Sequence, residues 1–112
     1  MKNPCLTSGF LKLFGDTPTN RVWDHLILSR ELFDLSMTNI SEGSGISWNT
    51  LKKIFPFFLE EKLVVESRNV GRATMYRLNM DSPRVAFMVR VHGEASKLQA
   101  KRTRTSAPKE SA

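Results

Sequence analysis

The chain predicts a mainly α, α+β fold in which a three-helix core leads into a two-stranded β-hairpin and then a C-terminal helix. Three observations predict it. Apolar residues recur at helical spacing after Thr17-Pro18 and again after Ser47. Two strand-like runs, "LVVESR" and "ATMYRL", are joined through "NVG", a glycine-containing hairpin turn. Behind them Pro83 opens another helical pattern.

The elements follow in order. Phe10, Leu11, Leu13 and Phe14 form a short apolar cluster ended by Gly15, read as a short helix in an N-terminal segment, residues 1–15. Thr17 supplies a capping hydroxyl and Pro18 a ring suited to the first helical position; Val22, Trp23, Leu26 and Ile27 then mark one face through about Arg30. "FDLS" (33–36) is a brief extended piece, and Ser36 caps a short helix to about Glu42. Gly43 and Gly45 break the chain. Ser47 caps a helix over 47–62, and the hairpin completes a domain over 16–80. Helix, turn, helix and hairpin in this order make a winged helix-turn-helix arrangement. A C-terminal helix is expected over 81–100. The last twelve residues, "KRTRTSAPKESA" (101–112), lack any large apolar side chain and are expected to be a disordered basic tail.

The 47–62 helix carries the functional signal. Leu51, Ile54, Phe55, Phe58 and Leu59 fall on one stripe and are expected to turn inward. That leaves Trp48, Asn49, Lys52, Lys53 and Pro56 facing outward, where the backbone donor lost at Pro56 is replaced by water with a bend. In helix-turn-helix proteins the N-terminal residues of the second helix meet base edges in the major groove. Asn49 and Thr50 are types that hydrogen-bond base edges, Lys52 and Lys53 reach guanine or phosphate, and the amides beside Ser47 suit a phosphate oxygen. Trp48 has three readings: stacking on the sugar-phosphate backbone, pressing on a thymine methyl, or tucking against Ile46. Arg68 and Arg72 flank the hairpin turn and Arg77 lies near its base. They suit a minor-groove or phosphate contact, or serve as solvated charges that block sheet pairing.

From "LFGDTPTNRVWDHL" through "GISWNTLKKIFPFFLEEKLVVESRNVGRATMYRLN" the chain resembles small archaeal winged-helix transcriptional regulators, which share broad features with ArsR- and MarR-type repressors. The likeness covers about residues 11–90. Its most specific part is "LEEKLV", then "VGRATMYRLN" and a proline-initiated helix. The resemblance implies a homodimer on double-stranded DNA, with Ser47 to Lys53 as the recognition segment and Arg68 to Arg72 as the wing. Trp48 stands where such proteins often carry arginine or lysine, and "SEGSG" is glycine-rich for the turn.

On the last helix Val85, Met88, Val89 and His92 lie at i, i+3, i+4 and i+7, with Val91, Ala95 and Leu98 widening the apolar side. So long a face in so small a protein is read as a dimer interface, completed by Phe10, Leu13 and Phe14; packing back on the same subunit is the alternative.

Composition bounds these readings. The 112 residues form one domain too small for a large catalytic cavity, with 40% hydrophobic and 25% charged residues, as in soluble globular chains. Lys plus Arg outnumber Asp plus Glu by 17 to 11, a net +6, which favours an anionic partner. Residues 1–80 carry ten against eight, only +2. A lone cysteine, Cys5, forms no internal disulfide, and no apolar run approaches the roughly 20 residues of a membrane span; a cytoplasmic protein without a membrane partner is expected. Cys5, His25 and His92 have no metal-ligand spacing, and the isolated histidines, without a carboxylate pair or phosphate-cradling loop, argue against catalysis. "NIS" (39–41) matches a glycosylation sequon within a predicted helix. No cofactor is expected, and no small-molecule effector is legible. Two functions remain: a DNA-binding regulator, or a winged-helix module that meets another protein through its outward helix, where Trp48 and the modest +2 would fit.

Overall fold

The computed structural model describes residues 8–31 and 34–109, with side-chain surroundings described as far as residue 100. Cys5, Phe33 of the "FDLS" piece, residues 110–112 and the side chains of the basic tail lie outside the described residues.

The elements are α1 (Gly9–Phe14), α2 (Pro18–Ser29), β1 (Leu35–Ser36), α3 (Met37–Ser44), α4 (Trp48–Glu60), β2 (Val64–Val70), β3 (Ala73–Leu78) and α5 (Pro83–Lys109). All five helix starts share one device. The hydroxyls of Ser8, Thr17, Ser36, Ser47 and Ser82 each accept a backbone N–H three residues on, satisfying one of the donors that a helix leaves unpaired. At Ser36 the Asn39 side chain returns the favour by accepting the Ser36 N–H, a closed capping box.

The helix-turn-helix corner is built at Gly45. Its φ of +73° is left-handed, which glycine adopts without steric cost. Arg21 on α2 donates to the Gly45 carbonyl at 3.2 Å while its Nη2 donates to Asp16 at 3.0 Å, so the corner is tied to the helix behind it. Helix α4 ends in a Schellman-type cap: Leu63 N–H reaches the Phe58 carbonyl at 2.8 Å and Lys62 N–H the Leu59 carbonyl at 3.1 Å. Lys62 takes the left-handed position usually held by glycine, φ +59°. The side chain of Asn79 donates to its carbonyl, anchoring this corner to the end of β3.

The sheet has three antiparallel strands in the order β1-β3-β2. The extended piece at residues 35–36 therefore joins the hairpin as a third strand instead of standing apart. The turn is also tighter than expected. Asn69 and Val70 pair with Thr74 and Ala73, leaving Gly71-Arg72 as a two-residue connection with a positive φ (+64°) at Gly71 alone. A glycine-first turn of this kind matches strand twist, whereas one centred on "NVG" would have cost two ladder pairs.

The core gathers Val22, Trp23, Leu26 and Ile27 of α2, Ile40 of α3, Leu51, Phe55 and Phe58 of α4, and Leu63, Val64 and Leu78 of the hairpin. Ring contacts fix its angles: Trp23 lies 5.3 Å from Phe58, and Phe55 meets Tyr76 edge-on at 4.9 Å. Two members of the expected inward stripe depart. Ile54 is half-buried at the rim and Leu59 is 37% exposed, because α4 turns its Leu51–Phe55–Phe58 side most squarely onto α2 and the sheet.

Helix α5 changes the expected picture most. Phe10, Val85 and His92, read as interface residues, are buried within the chain itself, at 1%, 0% and 5% exposure. The cause is a docking site between α1, α2 and α5. His92 Nε2 lies 2.7 Å from Asp24 Oδ1 on α2, and its ring stacks on Phe10 at 5.3 Å. Met88 and Val89 pack half-buried against the same core. Leu13 and Phe14 remain exposed, as do Phe87 and Leu98. The helix also runs to Lys109, beyond the expected limit near residue 100. Residues 101–107 contain no glycine or proline, and adding residues to an existing helix is far easier than nucleating one, so helix stands where a disordered tail was expected, with Pro108 in its last turn.

Gly9 sets how closely α1 approaches α5: an added Cβ would strike the backbone carbonyl of Ala95. Gly9→Ala is expected to destabilise the protein by about 1–3 kcal/mol, overpacking outweighing the gain in helix propensity. Urea unfolding checks this, and a gain in stability would contradict the close packing.

Candidate nucleic-acid interface

With Leu51, Phe55 and Phe58 inward, the 100° step of the helix puts Asn49, Lys53, Pro56 and Glu60 on the side of α4 opposite the core. Trp48 and Lys52, one turn apart, share the flank toward the sheet. Pro56 is exposed, so the Lys52 carbonyl that loses its helical donor lies on the outer side, and α4 continues unbroken to Glu60. Ser47, Asn49, Lys52 and Lys53 are all exposed. Thr50 is the exception in the recognition set. It is half-buried, and its hydroxyl oxygen accepts from Ser47 at 2.9 Å, which draws it back to the cap.

Trp48 does not tuck away; it is 45% exposed. It forms one wall of a groove of about 420 Å³ whose other wall is Arg72, Thr74 and Tyr76, with Ser36 and Thr38 at the end. The groove therefore joins the start of α4, the hairpin turn and the start of α3. Sequence reasoning missed Tyr76, Thr74, Ser36 and Thr38. The period-two alternation of "ATMYRL" held a signal for Tyr76 and Thr74, which share the inner face.

The cations divide into two groups. Lys52, Lys53, Arg72 and Arg77 have no ion-pair partner among the described residues, and all four are exposed. Arg68 is different. Its Nε and Nη2 donate to the two carboxylate oxygens of Asp34 at 2.9 and 3.2 Å, and the Ser67 hydroxyl donates to the same carboxylate. The geometry brings Arg72 to Trp48 and turns Arg68 to Asp34, so the two wing arginines do not converge as the sequence suggested. Hydrogen bonds from Arg68 and then Ser67 hold the Asp34 carboxyl well below the usual carboxylate range, and the pair raises the Arg68 pKa in turn. Nothing in the sequence marks Asp34 and Arg68 as partners 34 residues apart.

A second concavity of about 460 Å³ lies at the far end of α4, walled by Trp23, Phe57, Leu63, Pro83, Phe87 and Met88, with Arg84 bonded to Glu61 at its rim. His25, between α2 and α3, has its pKa lowered by burial against an opposing pull from Asp24. No group of three or more His, Cys, Asp or Glu is placed to hold a metal ion, and no helix is long and apolar enough to cross a membrane, among the described residues.

No protein-family model matches the sequence, and no curated protein matches it. Among solved structures the chain is similar to wild-type Lactococcus lactis ZitR in complex with DNA, at 20% sequence identity and a TM-score of 0.54. The match covers 74% of this chain and 58% of that one, so the chain spans less than two thirds of this neighbour's length. The likeness establishes the fold: a winged helix, with α3 and α4 as the helix-turn-helix and β2–β3 as the wing.

Because its folded-state pKa is depressed, Asp34 contributes stability that is complete above the unfolded value and lost only as pH falls through the lower folded one. An NMR titration of its carboxyl carbon is therefore expected to show no inflection near the ordinary value of 3.8. A normal titration there would mean that the Asp34–Arg68 pair does not persist in solution.

Proposed function

We propose that the protein is a DNA-binding transcriptional regulator that sets the first turns of α4 in the major groove of double-stranded DNA and the Gly71-Arg72 turn on the minor groove or backbone. The observation that carries this reading is the groove between Trp48 and Arg72, flanked by lysines that no acidic group neutralises among the described residues. Within it the roles divide by chemistry. Asn49 offers both a donor and an acceptor to a base edge, as adenine requires. Lys53, on the outermost line of α4, meets phosphate or guanine. Lys52 and Arg72 take the backbone on the flank shared with Trp48, whose ring lies against deoxyribose or a thymine methyl. Ser47 contributes the amide-rich helix start beside a phosphate. The likeness to a winged-helix protein solved with DNA supports the same class of function.

The protein acts as a homodimer in the cytoplasm, without a cofactor or enzymatic activity. The surface for pairing is not the buried side of α5 but its outer side: Phe87 and Leu98, with Leu13 and Phe14 of the adjoining α1, all half or more exposed. Leu13 and Leu98 already line one shallow groove, so apolar surface is continuous from one helix to the other. A two-fold dimer implies an inverted-repeat site with half-sites about 10 bp apart, or a multiple of that.

Selection from a random duplex library followed by competition gel shifts tests the proposal. An enriched palindrome is expected. Lys53→Ala should then weaken binding to every duplex, and Asn49→Ala should change the preferred sequence, each by about 1–3 kcal/mol where the contact is to a base. Equal affinity for every duplex, or none, would favour the protein-interaction reading, in which the exposed Trp48 is the anchor for a partner chain.

A further inference from the structure

Resting on that reading, we propose that Asp34 sets the selectivity of the wing by withholding Arg68 from phosphate, leaving Arg72 as the wing's working cation.

The argument starts with the register. Residues paired across an antiparallel ladder project to the same face. Leu35 pairs with Tyr76, and both face the helices: Leu35 is buried and Tyr76 touches Phe55. Arg68 pairs with Met75, one position along from Tyr76, so it belongs to the opposite face. Asp34, the residue before the inward-facing Leu35, is on that back face too. The ladder shifts between Glu66 and Arg68, which makes Ser67 an extra, unpaired residue. A bulge re-aims the side chains beside it. Here Ser67 and Arg68 together close on Asp34 across the intervening strand β3.

The consequence is chemical. A carboxylate that takes two guanidinium N–H bonds occupies the same fork that a phosphate would use. The Asp34 side chain is only 12% exposed and is satisfied by three donors, whereas Arg68 is 65% exposed and near the DNA-facing turn in sequence. A free arginine there would add a phosphate contact blind to sequence, raising affinity for all DNA alike. Holding it on the back face removes that contribution and leaves the front groove, with Trp48 and Arg72, to decide. Asp34 is thus a positioning residue, acting through Arg68.

The test measures the dependence of log affinity on log salt, using a random-sequence duplex and heparin as polyanion probes. Arg68→Ala is expected to leave the slope as in wild type, since the group is already withheld. Asp34→Asn frees it and should steepen the slope by about 0.9 on the duplex. In the Asp34→Asn, Arg68→Ala double variant the slope should return to the wild-type value. Glu66→Gln, which removes a negative charge from the same strand without releasing Arg68, should not alter it. A shallower slope for Arg68→Ala would overturn the proposal, because Arg68 would then already contact phosphate. So would an unchanged or shallower slope for Asp34→Asn, the result of a merely structural role. Should Asp34→Asn fail to fold, Arg68→Ala alone decides. A wild-type protein that binds DNA without sequence preference sinks the regulator reading but leaves the slope comparison intact; binding to neither probe by any variant overturns both.

Discussion

The seating of one helix face controls the rest of the molecule. Leu51, Phe55 and Phe58 are buried to within 2%, and each contributes about 1.5–3 kcal/mol by leaving water. Trp23 on one side and Tyr76 on the other clamp the aromatic pair, so α4 cannot rotate without opening ring contacts to both α2 and the sheet. Because a helix presents its residues at fixed angles, this burial dictates what faces outward: Asn49 and Lys53 squarely, Trp48 and Lys52 toward the hairpin. A polar outer face is therefore a geometric consequence of an apolar inner one.

Around that constraint, hydrogen bonds and ion pairs mostly hold elements in place. Arg21 ties the helix-turn-helix corner, Asn79 the end of α4, Asp24 and His92 the seat of α5, and Asp34 the stem of the wing. Each uses a charged or amide side chain internally. What remains without an ion-pair partner among the described residues on this side is a small positive set, Lys52, Lys53 and Arg72. The net +2 of residues 1–80 understates it, since Asp16, Asp24, Asp34 and Glu61 are each held by a structural partner.

Much of this was legible before any coordinates. Capping serines and threonines, a proline at a helix start and two strand-like runs are local signals, and local signals decide where helices and hairpins begin. The stripe on α4 was readable because 3.6-residue periodicity survives the proline when that residue points to water. Contacts between distant parts of the chain were not readable. "FDLS" does not announce that it will pair with β3, and no spacing rule links Asp34 to Arg68. The misreading of α5 has the same root. Its apolar stripe demanded a partner, but periodicity cannot say whether that partner is the chain's own α1 and α2 or a second copy, and Phe10 with His92 chose the former. For the site, the consequence is a shift from two wing arginines to one, with Tyr76 and Thr74 added to the wall opposite Trp48.

On the proposed reading, the side of α4 left outside by its buried stripe, together with the hairpin turn, is the surface that meets DNA. Amide and indole chemical shifts of the isotopically labelled protein, followed as a DNA duplex is added, test it most directly. Changes are expected to concentrate at residues 47–53 and 70–74, with the Trp48 indole among the largest, while Phe87 and the outer side of α5 respond little. Changes centred on Phe57, Phe87 and the start of α5, with the Trp48 indole unmoved, would contradict it.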